Sequence, residues 1–322
     1  MKADAVGSSG PVVVVLGPTA SGKSEVACAL ARRFKGWILS ADSMAVYRGL
    51  EIGTSKPGDA IRREIPHRGL DLAEPDRDFS LGDFIRAADA ALLEMRNARV
   101  LPIVVGGTGL YLRGLLKGMV TLPTRDAGYR RELLERQARE GPGTLHRFLA
   151  KIDPASAERI APQDDQRVVR ALELARSGIR DALGQPGAEW SGPDRFASVK
   201  VGMRRERGEL ERLIEERVDG FLTRGWLEET RALLVRCPSP GNAFKALGYR
   251  ELAAHLRGEG DLASAREAIV RNTLRYAKRQ MTWFRREPAV RWFELSGPTE
   301  SAIPAIGDYV RERLAGSGAL AE

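Results

Sequence analysis

Gly17-Pro18-Thr19-Ala20-Ser21-Gly22-Lys23-Ser24 follows directly on the apolar run Val12 to Leu16. The octapeptide fits the P-loop spacing G-x-x-x-x-G-K-[ST], typical of nucleotide-binding proteins, and a helical pattern begins at Glu25. In such a loop the backbone N–H groups wrap a phosphate, the lysine adds a positive charge and the last hydroxyl ligates magnesium. The segment therefore predicts a phosphate-binding site, with Mg²⁺ held at Ser24.

Other apolar runs have the features of buried strands. Trp37 to Leu39 and Val100 to Val105 follow along the chain, and Ala197 to Met203 and Val290 to Glu294 come later. Segments with helical spacing separate the runs, one of them announced by the capping residue Ser80. This order is typical of a buried parallel sheet. We expect an α/β fold, with a P-loop NTPase-like parallel sheet flanked by helices.

The character of the chain changes near residue 125. Charged helical patterns replace apolar strands until Ala197, and the breaker-rich stretch from Gly184 to Pro193 marks a connection. We therefore expect an inserted helical domain over residues 125–194. Residues 11–124 would form the first part of the core, and residues 195–322 the remainder of the core with basic C-terminal helices.

The composition bounds the class of protein. The 322 residues are 43% apolar, and 51 lysines and arginines against 43 acidic residues give a net charge of +8. That charge suits either solubility or a polyanionic partner. The two cysteines, Cys28 and Cys237, exclude a disulfide framework or a cysteine zinc site, and no signal segment or membrane span is evident. We expect a cytoplasmic protein.

Two candidate residues follow strand ends, where ligands gather in open α/β sheets. Asp42 could bind magnesium or accept a proton, although an aspartate here also suits a turn. The run ending at Val105 leads into Gly106 to Gly109 without the carboxylate that P-loop hydrolases use, so an ordinary NTPase is disfavoured. Thr108 could offer a hydroxyl to a metal or phosphate, or simply belong to a glycine turn.

A long basic helix is predicted from about Ala263 to Arg286. Cationic side chains share one side of it and suit a polyphosphate backbone; they are Arg271, Arg275, Lys278, Arg279 and Arg286. Aromatic residues within the helix are assigned to the core, where helical aromatics usually pack.

Taken together, the segments resemble the tRNA dimethylallyltransferases, also called tRNA isopentenyltransferases. The resemblance covers most of the chain, and its motifs occur in the same order as in the family. Besides the P-loop, it rests on Asp42-Ser43, Tyr47-Arg48-Gly49, Ile52 to Pro57, Pro66-His67, Val105 to Tyr111, Asp165 to Glu173, Gly248 to Glu251 and Lys278 to Arg285. The chain departs from the family pattern at Ala45, where glutamine is frequent, which puts one base contact in doubt.

The resemblance implies transfer of a dimethylallyl group from dimethylallyl diphosphate to the exocyclic amine of the adenosine next to the anticodon. The P-loop, with Arg207, would hold the diphosphate. Lys23 and Mg²⁺, bound by Ser24 and Thr108, would neutralise its charge as it leaves. Asp42 would take the proton from the adenine amine.

The same resemblance assigns the RNA contacts. The anticodon stem-loop would lie against a set that spans the insertion and the C-terminal helices, the protein acting as a monomer without a membrane. The set is Asp42, Ser43, Met44, Ala45, Thr108, Arg130, Gln166, Arg167, Arg170, Lys245, Tyr249, Arg250, Lys278, Arg279, Gln280, Trp283 and Arg285.

Rival functions stay open. A P-loop small-molecule kinase would use Asp42 to activate a hydroxyl, and an adenylate isopentenyltransferase would act on free nucleotide. The second has little need of the helical insertion or the basic helix. An RNA-binding protein with a vestigial loop would not explain why Lys23, Ser24 and Asp42 are all present.

Overall fold

The computed structural model describes residues 10–118, 123, 126–180, 193–237 and 241–316. The chain divides into two compact units, one of Met1–Leu116 with Asp194–Glu322 and the other of Lys117–Pro193. The second unit thus begins eight residues before the predicted insertion. The predicted boundary at residues 124 and 125, and nearly all of the predicted connection from 184 to 193, lie outside the described residues.

The first unit is built on a six-stranded sheet of order β3-β2-β4-β1-β5-β6, in which every neighbouring pair is parallel. The strands are β1 Val12–Leu16, β2 Trp37–Ser40, β3 His67–Arg68, β4 Pro102–Gly106, β5 Ser198–Arg205 and β6 Val290–Leu295. The predicted α/β fold is confirmed. Each predicted apolar run forms a strand. The two-residue β3 was not predicted, because no apolar run marks it in the sequence.

Helices cover both faces of this sheet. The helices of the first unit are α1 Lys23–Phe34, α2 Asp59–Glu64, α3 Leu81–Asn97, α4 Gly109–Lys117, α9 Arg207–Thr223, α10 Trp226–Arg236, α11 Tyr249–Leu256, α12 Leu262–Phe284 and α13 Ile303–Gly316. The second unit consists of four helices of its own among the described residues, α5 Ala127–Glu140, α6 Thr144–Ile152, α7 Pro154–Arg159 and α8 Asp165–Arg176. Ser80 caps α3, accepting a hydrogen bond from the Asp83 amide as its position predicted.

The alternation of side chains along β1 creates two cores. Val12, Val14 and Leu16 join the cluster under α3, α4 and α9 to α12, whereas Val13 and Val15 join the cluster under α1 and α13. Each fully buried valine or leucine stabilises the fold by roughly 1.5–3 kcal/mol. A sheet buried on both faces explains why its central strands are continuous apolar runs.

The second unit has a core of its own. Leu133 of α5, Leu145 and Leu149 of α6, and Val168 and Leu172 of α8 are buried against one another. Among the described residues, no helix of either unit combines the length and apolar character required to cross a membrane.

Candidate active site

The loop between β1 and α1 has the conformation of a phosphate cradle. Gly17 and Gly22 have φ values of 147° and 88°, which favour glycine. The Ser21 hydroxyl donates to the Pro18 carbonyl at 2.8 Å, and Lys23 Nζ donates to the same oxygen. The loop is therefore held in place before any anion enters it.

Asp42 lies where β2 ends, half-buried in a tight turn. Its Oδ1 accepts the backbone N–H groups of Met44 at 2.8 Å and Ala45 at 3.2 Å. No bond to Oδ2 occurs within the part of the chain that the structure describes. Asp42 can therefore fill both expected roles. One carboxylate oxygen holds the turn, and the other is available to a ligand.

Thr108, where β4 ends, is tied to the same turn. Its Oγ1 accepts the N–H of Ser43 at 3.1 Å and lies 3.3 Å from the Ser43 hydroxyl. The Tyr276 side chain interacts with Thr108, and burial together with the charge of Asp42 raises the pKa of Tyr276 to about 12. The phenol is therefore protonated at neutral pH and able to donate.

Two cations face the P-loop. Arg217 of α9 donates to the Thr19 hydroxyl at 3.5 Å and to the Ser55 hydroxyl at 2.8 Å. Burial and the charge of Arg217 lower the pKa of Lys23 to about 7, against the opposing effect of Asp42. Burial likewise lowers the pKa of Arg217. An anion bound beside them would relieve this repulsion, so the site favours an anionic ligand.

A cavity of about 490 Å³ lies against Thr19, Asp42, Arg217 and Tyr276. One part is polar, with Thr19, Asp42 and Arg217, and another is apolar. The lining residues are Thr19, Asp42, Ser43, Met44, Gly53, Thr54, Ile214, Arg217, Val218, Phe221, Trp226, Lys245, Ala246, Leu247, Arg250, Ile269, Asn272, Thr273, Arg275, Tyr276 and Arg279. Such an arrangement suits an anion, an apolar chain and a polar acceptor in one space.

Helix α12 ties the two glycine-rich loops together. Gln280 accepts the N–H of Thr19 through Oε1 and donates from Nε2 to the carbonyl of Gly107, both at 2.9 Å. Three residues on, Trp283 packs so closely on Gly109 that a Cβ there would collide with the indole. The Arg113 guanidinium lies 4.7 Å from the centre of the Trp283 ring.

The two predicted magnesium ligands, Ser24 and Thr108, lie in different surroundings. Ser24 is exposed at the first turn of α1, and Mg²⁺ is commonly held by one or two protein oxygens together with substrate phosphates. The Thr108 hydroxyl is instead engaged with Ser43. Within the described residues no group of three acidic, histidine or cysteine side chains could supply a protein-only site. Ser24 fits an ion carried by diphosphate.

The sequence of the chain is similar to those of known enzymes. The IPP transferase family model matches residues 45–287. The chain belongs to the IPP transferase family. A tRNA dimethylallyltransferase from Geobacter sulfurreducens is 43% identical over 294 residues, which are 89% of this chain and 93% of that protein. One from Anaeromyxobacter dehalogenans is 46% identical over 281 residues, 87% and 92% respectively.

Solved structures of IPP transferases share the fold. The full-length tRNA isopentenylpyrophosphate transferase of Bacillus halodurans aligns with a TM-score of 0.72 and 34% identity, over 97% of this chain and 99% of that one. A eukaryotic dimethylallyltransferase acting on tRNA aligns with a TM-score of 0.78 and 25% identity, over 95% and 80% of the two chains.

One arginine predicted for the diphosphate is placed elsewhere in this IPP transferase. The Arg207 side chain is 88% exposed and pairs with Glu211 at 2.8 Å on the first turn of α9. Ten residues later on the same helix, Arg217 faces the P-loop. The structure does not bring Arg207 to the P-loop, because the helix turns it toward solvent, and Arg217 is the residue of α9 that lies there.

Three residues predicted to contact RNA are buried. The Tyr249 ring is 1% exposed, donates from its hydroxyl to Glu229 and accepts the N–H of Gly53. Gln280 is 6% exposed between the two loops, and Ala45 lies in the core beneath the Asp42 turn. In this arrangement their side chains are inaccessible and shape the site, and contact with RNA stays a prediction for them.

Other predicted RNA residues of the first unit are accessible. Ser43, Met44, Lys245, Arg250 and Arg279 line the cavity together with Asp42. Lys278 and Arg285 are exposed on α12 or just beyond it. The position of Trp283 against Gly109 supports the general expectation that helical aromatics pack, while Tyr276 is turned toward the cavity.

In the second unit, two of the predicted arginines already have a carboxylate partner. Arg130 and Arg170 lie 3.6 Å and 3.4 Å from Oε2 of the buried Glu173. Gln166 and Arg167 are exposed near the start of α8, where Arg167 approaches Asp164 at 3.6 Å. Gln166 and Arg167 thus keep an accessible surface, whereas Arg130 and Arg170 help to bind their own unit together.

Sequence reasoning missed Arg217 and Trp226. A signal for Arg217 existed, since Ile214, Val218 and Phe221 form an apolar stripe and Arg217 interrupts that stripe at helical spacing. A cation on the buried face of a helix needs a polar partner or a ligand. Trp226 carried no comparable signal, because a tryptophan at a helix start is usually core.

Proposed function

We propose that this protein transfers a dimethylallyl group from dimethylallyl diphosphate to the exocyclic N6 amine of the adenosine on the 3′ side of the anticodon in tRNA. One observation carries the proposal: a single cavity is lined by the P-loop residue Thr19, the cation Arg217, the carboxylate Asp42 and an apolar wall. A diphosphate, an allylic chain and an amine that must lose a proton need these chemistries together. The names of the relatives support transfer of a dimethylallyl group to tRNA.

The charges of the site suit the departure of diphosphate. As the allylic carbon–oxygen bond breaks, its electron pair leaves with the diphosphate, and Lys23 and Arg217 neutralise the growing charge. A magnesium ion held by the diphosphate and Ser24 would supply further neutralisation when bound. No phosphoryl group moves, so the site requires no carboxylate to orient water where β4 ends.

Asp42 supplies the base. The lone pair of an adenine amine is delocalised into its ring, so the nitrogen is a weak nucleophile. In the proposed reaction N6 forms the new bond to the allylic carbon while its proton passes to Oδ2 of Asp42. The N–H groups of Met44 and Ala45 hold Oδ1, which fixes the direction in which Oδ2 points.

The acceptor must leave its stack to enter the cavity, and phosphate contacts elsewhere offset that cost. We propose that basic residues at and near the cavity hold the stem-loop. They are Lys245, Arg250 and Arg279 at the cavity, with Lys278 on α12 and Arg285 just beyond it. Gln166 and Arg167 are proposed as contacts from the second unit. We also propose that the protein acts as a monomer in the cytoplasm.

The deciding experiment offers two acceptors to one donor. Purified protein, Mg²⁺ and radiolabelled dimethylallyl diphosphate are incubated with an anticodon stem-loop carrying the adenosine, or with AMP. Label in the stem-loop alone is expected. Label in AMP would make the chain a free-nucleotide enzyme, and absence of label with turnover of ATP would make it a kinase.

A further inference from the structure

Along one face of helix α9, the side chains that line the cavity change from charged to apolar. Arg217, bonded to the P-loop, lies at the charged end. Val218 and Phe221 follow on the same face and line the same cavity. Four residues of helix rise about 6 Å, so a ligand anchored at Arg217 meets the Phe221 level one turn away. A dimethylallyl chain is of about this length.

Trp226 belongs to the apolar lining of the same cavity. It lines the cavity, yet only 2% of it is exposed. Its ring meets Phe221 edge-on at 5.3 Å and Tyr249 edge-on at 5.6 Å between ring centres. Tyr249 is itself fixed by Glu229 and by the N–H of Gly53. The indole therefore has an aromatic support behind it that does not move easily.

Two glycines hold the indole from its sides. A Cβ added to Gly53 would come within 2.5 Å of Cε2 and Cζ2 of Trp226. A Cβ added to Gly248, where φ is +88°, would lie 3.0 Å from Cζ3 and closer still to Cη2. Both backbones touch the ring because neither carries a side chain. A ring packed so tightly has no alternative rotamer available without displacement of the backbone.

We propose that Trp226, supported by Tyr249 and wedged between Gly53 and Gly248, sets the chain length of the allylic donor. The inference rests on the proposed prenyl transfer and names the residue that selects within it. A five-carbon chain ends against the indole, whereas a donor with a second isoprene unit would have to displace it. Removing the indole opens space for the longer chain.

The test compares dimethylallyl diphosphate with geranyl diphosphate, both radiolabelled, in the wild type, Trp226→Ala and Trp226→Phe, with the stem-loop as acceptor. The wild type is expected to favour the shorter donor by about 100-fold or more in kcat/KM. Trp226→Ala is expected to shift that ratio at least about tenfold toward the longer donor, with Trp226→Phe in between. Displacement of dimethylallyl diphosphate by geranyl diphosphate gives the same ordering without turnover.

Trp292→Ala is the matched control, since it removes an indole that packs beside β5 and does not line the cavity. Its donor ratio should equal that of the wild type. Comparable use of both donors by the wild type would overturn the proposal. The proposal would also be overturned if Trp226→Phe and correctly folded Trp226→Ala both kept the donor ratio of the wild type. Failure of the wild type to transfer from dimethylallyl diphosphate would instead contradict the proposed function itself.

Discussion

The side-chain oxygen of Gln280 accepts a hydrogen bond from the backbone amide of Thr19 at 2.9 Å, across 261 positions of the sequence. The amide nitrogen of the same side chain bonds the Gly107 carbonyl. One buried residue of α12 thus fixes the positions of the glycine-rich loops that follow β1 and β4. The helix that presents Arg275 and Arg279 to the cavity is thereby attached to the proposed donor site.

Replacing Gln280 by methionine should weaken donor binding while leaving RNA affinity intact. The change keeps the volume of the side chain but leaves the Thr19 N–H and the Gly107 carbonyl unpaired, at a cost of about 1–3 kcal/mol for each buried group. We expect the KM for dimethylallyl diphosphate to rise about tenfold or more. Gln280→Glu, which can still accept from Thr19, separates the two bonds. A loss confined to stem-loop affinity would show that Gln280 reads RNA after all.

Arg217 and Arg207 offer a matched pair on one helix. Arg217→Ala removes a half-buried cation from the P-loop, and we expect donor affinity to fall by about tenfold to 100-fold, as for other charge-assisted contacts. Arg207→Ala removes an exposed cation paired with Glu211, and donor affinity should stay within about twofold. Calorimetric titration with dimethylallyl diphosphate measures both. Equal losses in the two variants would contradict the assignment of Arg217.

The parts of this molecule that the sequence predicted are those encoded locally. The runs Val12 to Leu16 and Val100 to Val105 are apolar because the sheet is covered on both faces, and the P-loop pattern specifies its own turn. Ser80 caps its helix through the neighbouring Asp83. These features depend on residues a few positions apart, so periodicity and spacing are sufficient to find them.

The remainder depends on contacts between distant segments. Whether Arg207 or Arg217 faces the P-loop is decided by how α9 is rotated on the core, and no spacing near Arg207 encodes that rotation. Tyr249 and Gln280 are residue types that suit RNA, yet packing against Trp226 and bonding to Thr19 bury them. A family pattern identifies such residues as important, whereas tertiary contacts decide what each one touches.

Lys23 should take up a proton when an anion binds. Its pKa is lowered to about 7 by burial and by Arg217, so at pH 8 the free protein mostly holds a neutral amine. A bound diphosphate favours the charged form, and affinity should fall by up to about tenfold per pH unit above 7 because one pKa unit corresponds to about 1.4 kcal/mol. Calorimetry with inorganic diphosphate gives the proton count when each pH is measured in two buffers of different ionisation enthalpy, MES and Bis-Tris at pH 6, and HEPES and Tris at pH 8.

Lys23→Arg is the control, since arginine stays charged throughout this range and the titration of the ligand itself is common to both proteins. The wild type should take up close to one more proton than the variant at pH 8, and almost none at pH 6. The lowered pKa of Lys23 also affects how the stability of the free protein depends on pH. Between pH 7 and about 10 the unfolded chain binds more protons at Lys23, so the free energy of unfolding contributed by this residue rises with pH. Equal proton counts at pH 8 would mean that Lys23 is charged before the anion arrives.

Asp42→Asn should separate the turn from the chemistry. The asparagine oxygen can still accept the N–H groups of Met44 and Ala45, so the turn should persist and donor affinity should stay within about twofold. The amide cannot take the proton from N6, and we expect kcat to fall by about 100-fold to 10,000-fold, the usual range for a lost general base.

Asp261→Asn is the matched control, because Asp261 caps α12 through the Ser264 amide and does not line the cavity. Single-turnover transfer to the stem-loop, with donor affinity measured separately, distinguishes the two effects. Near wild-type transfer by Asp42→Asn would require the base to be another group, and reduced donor affinity with unchanged kcat would limit Asp42 to holding the turn.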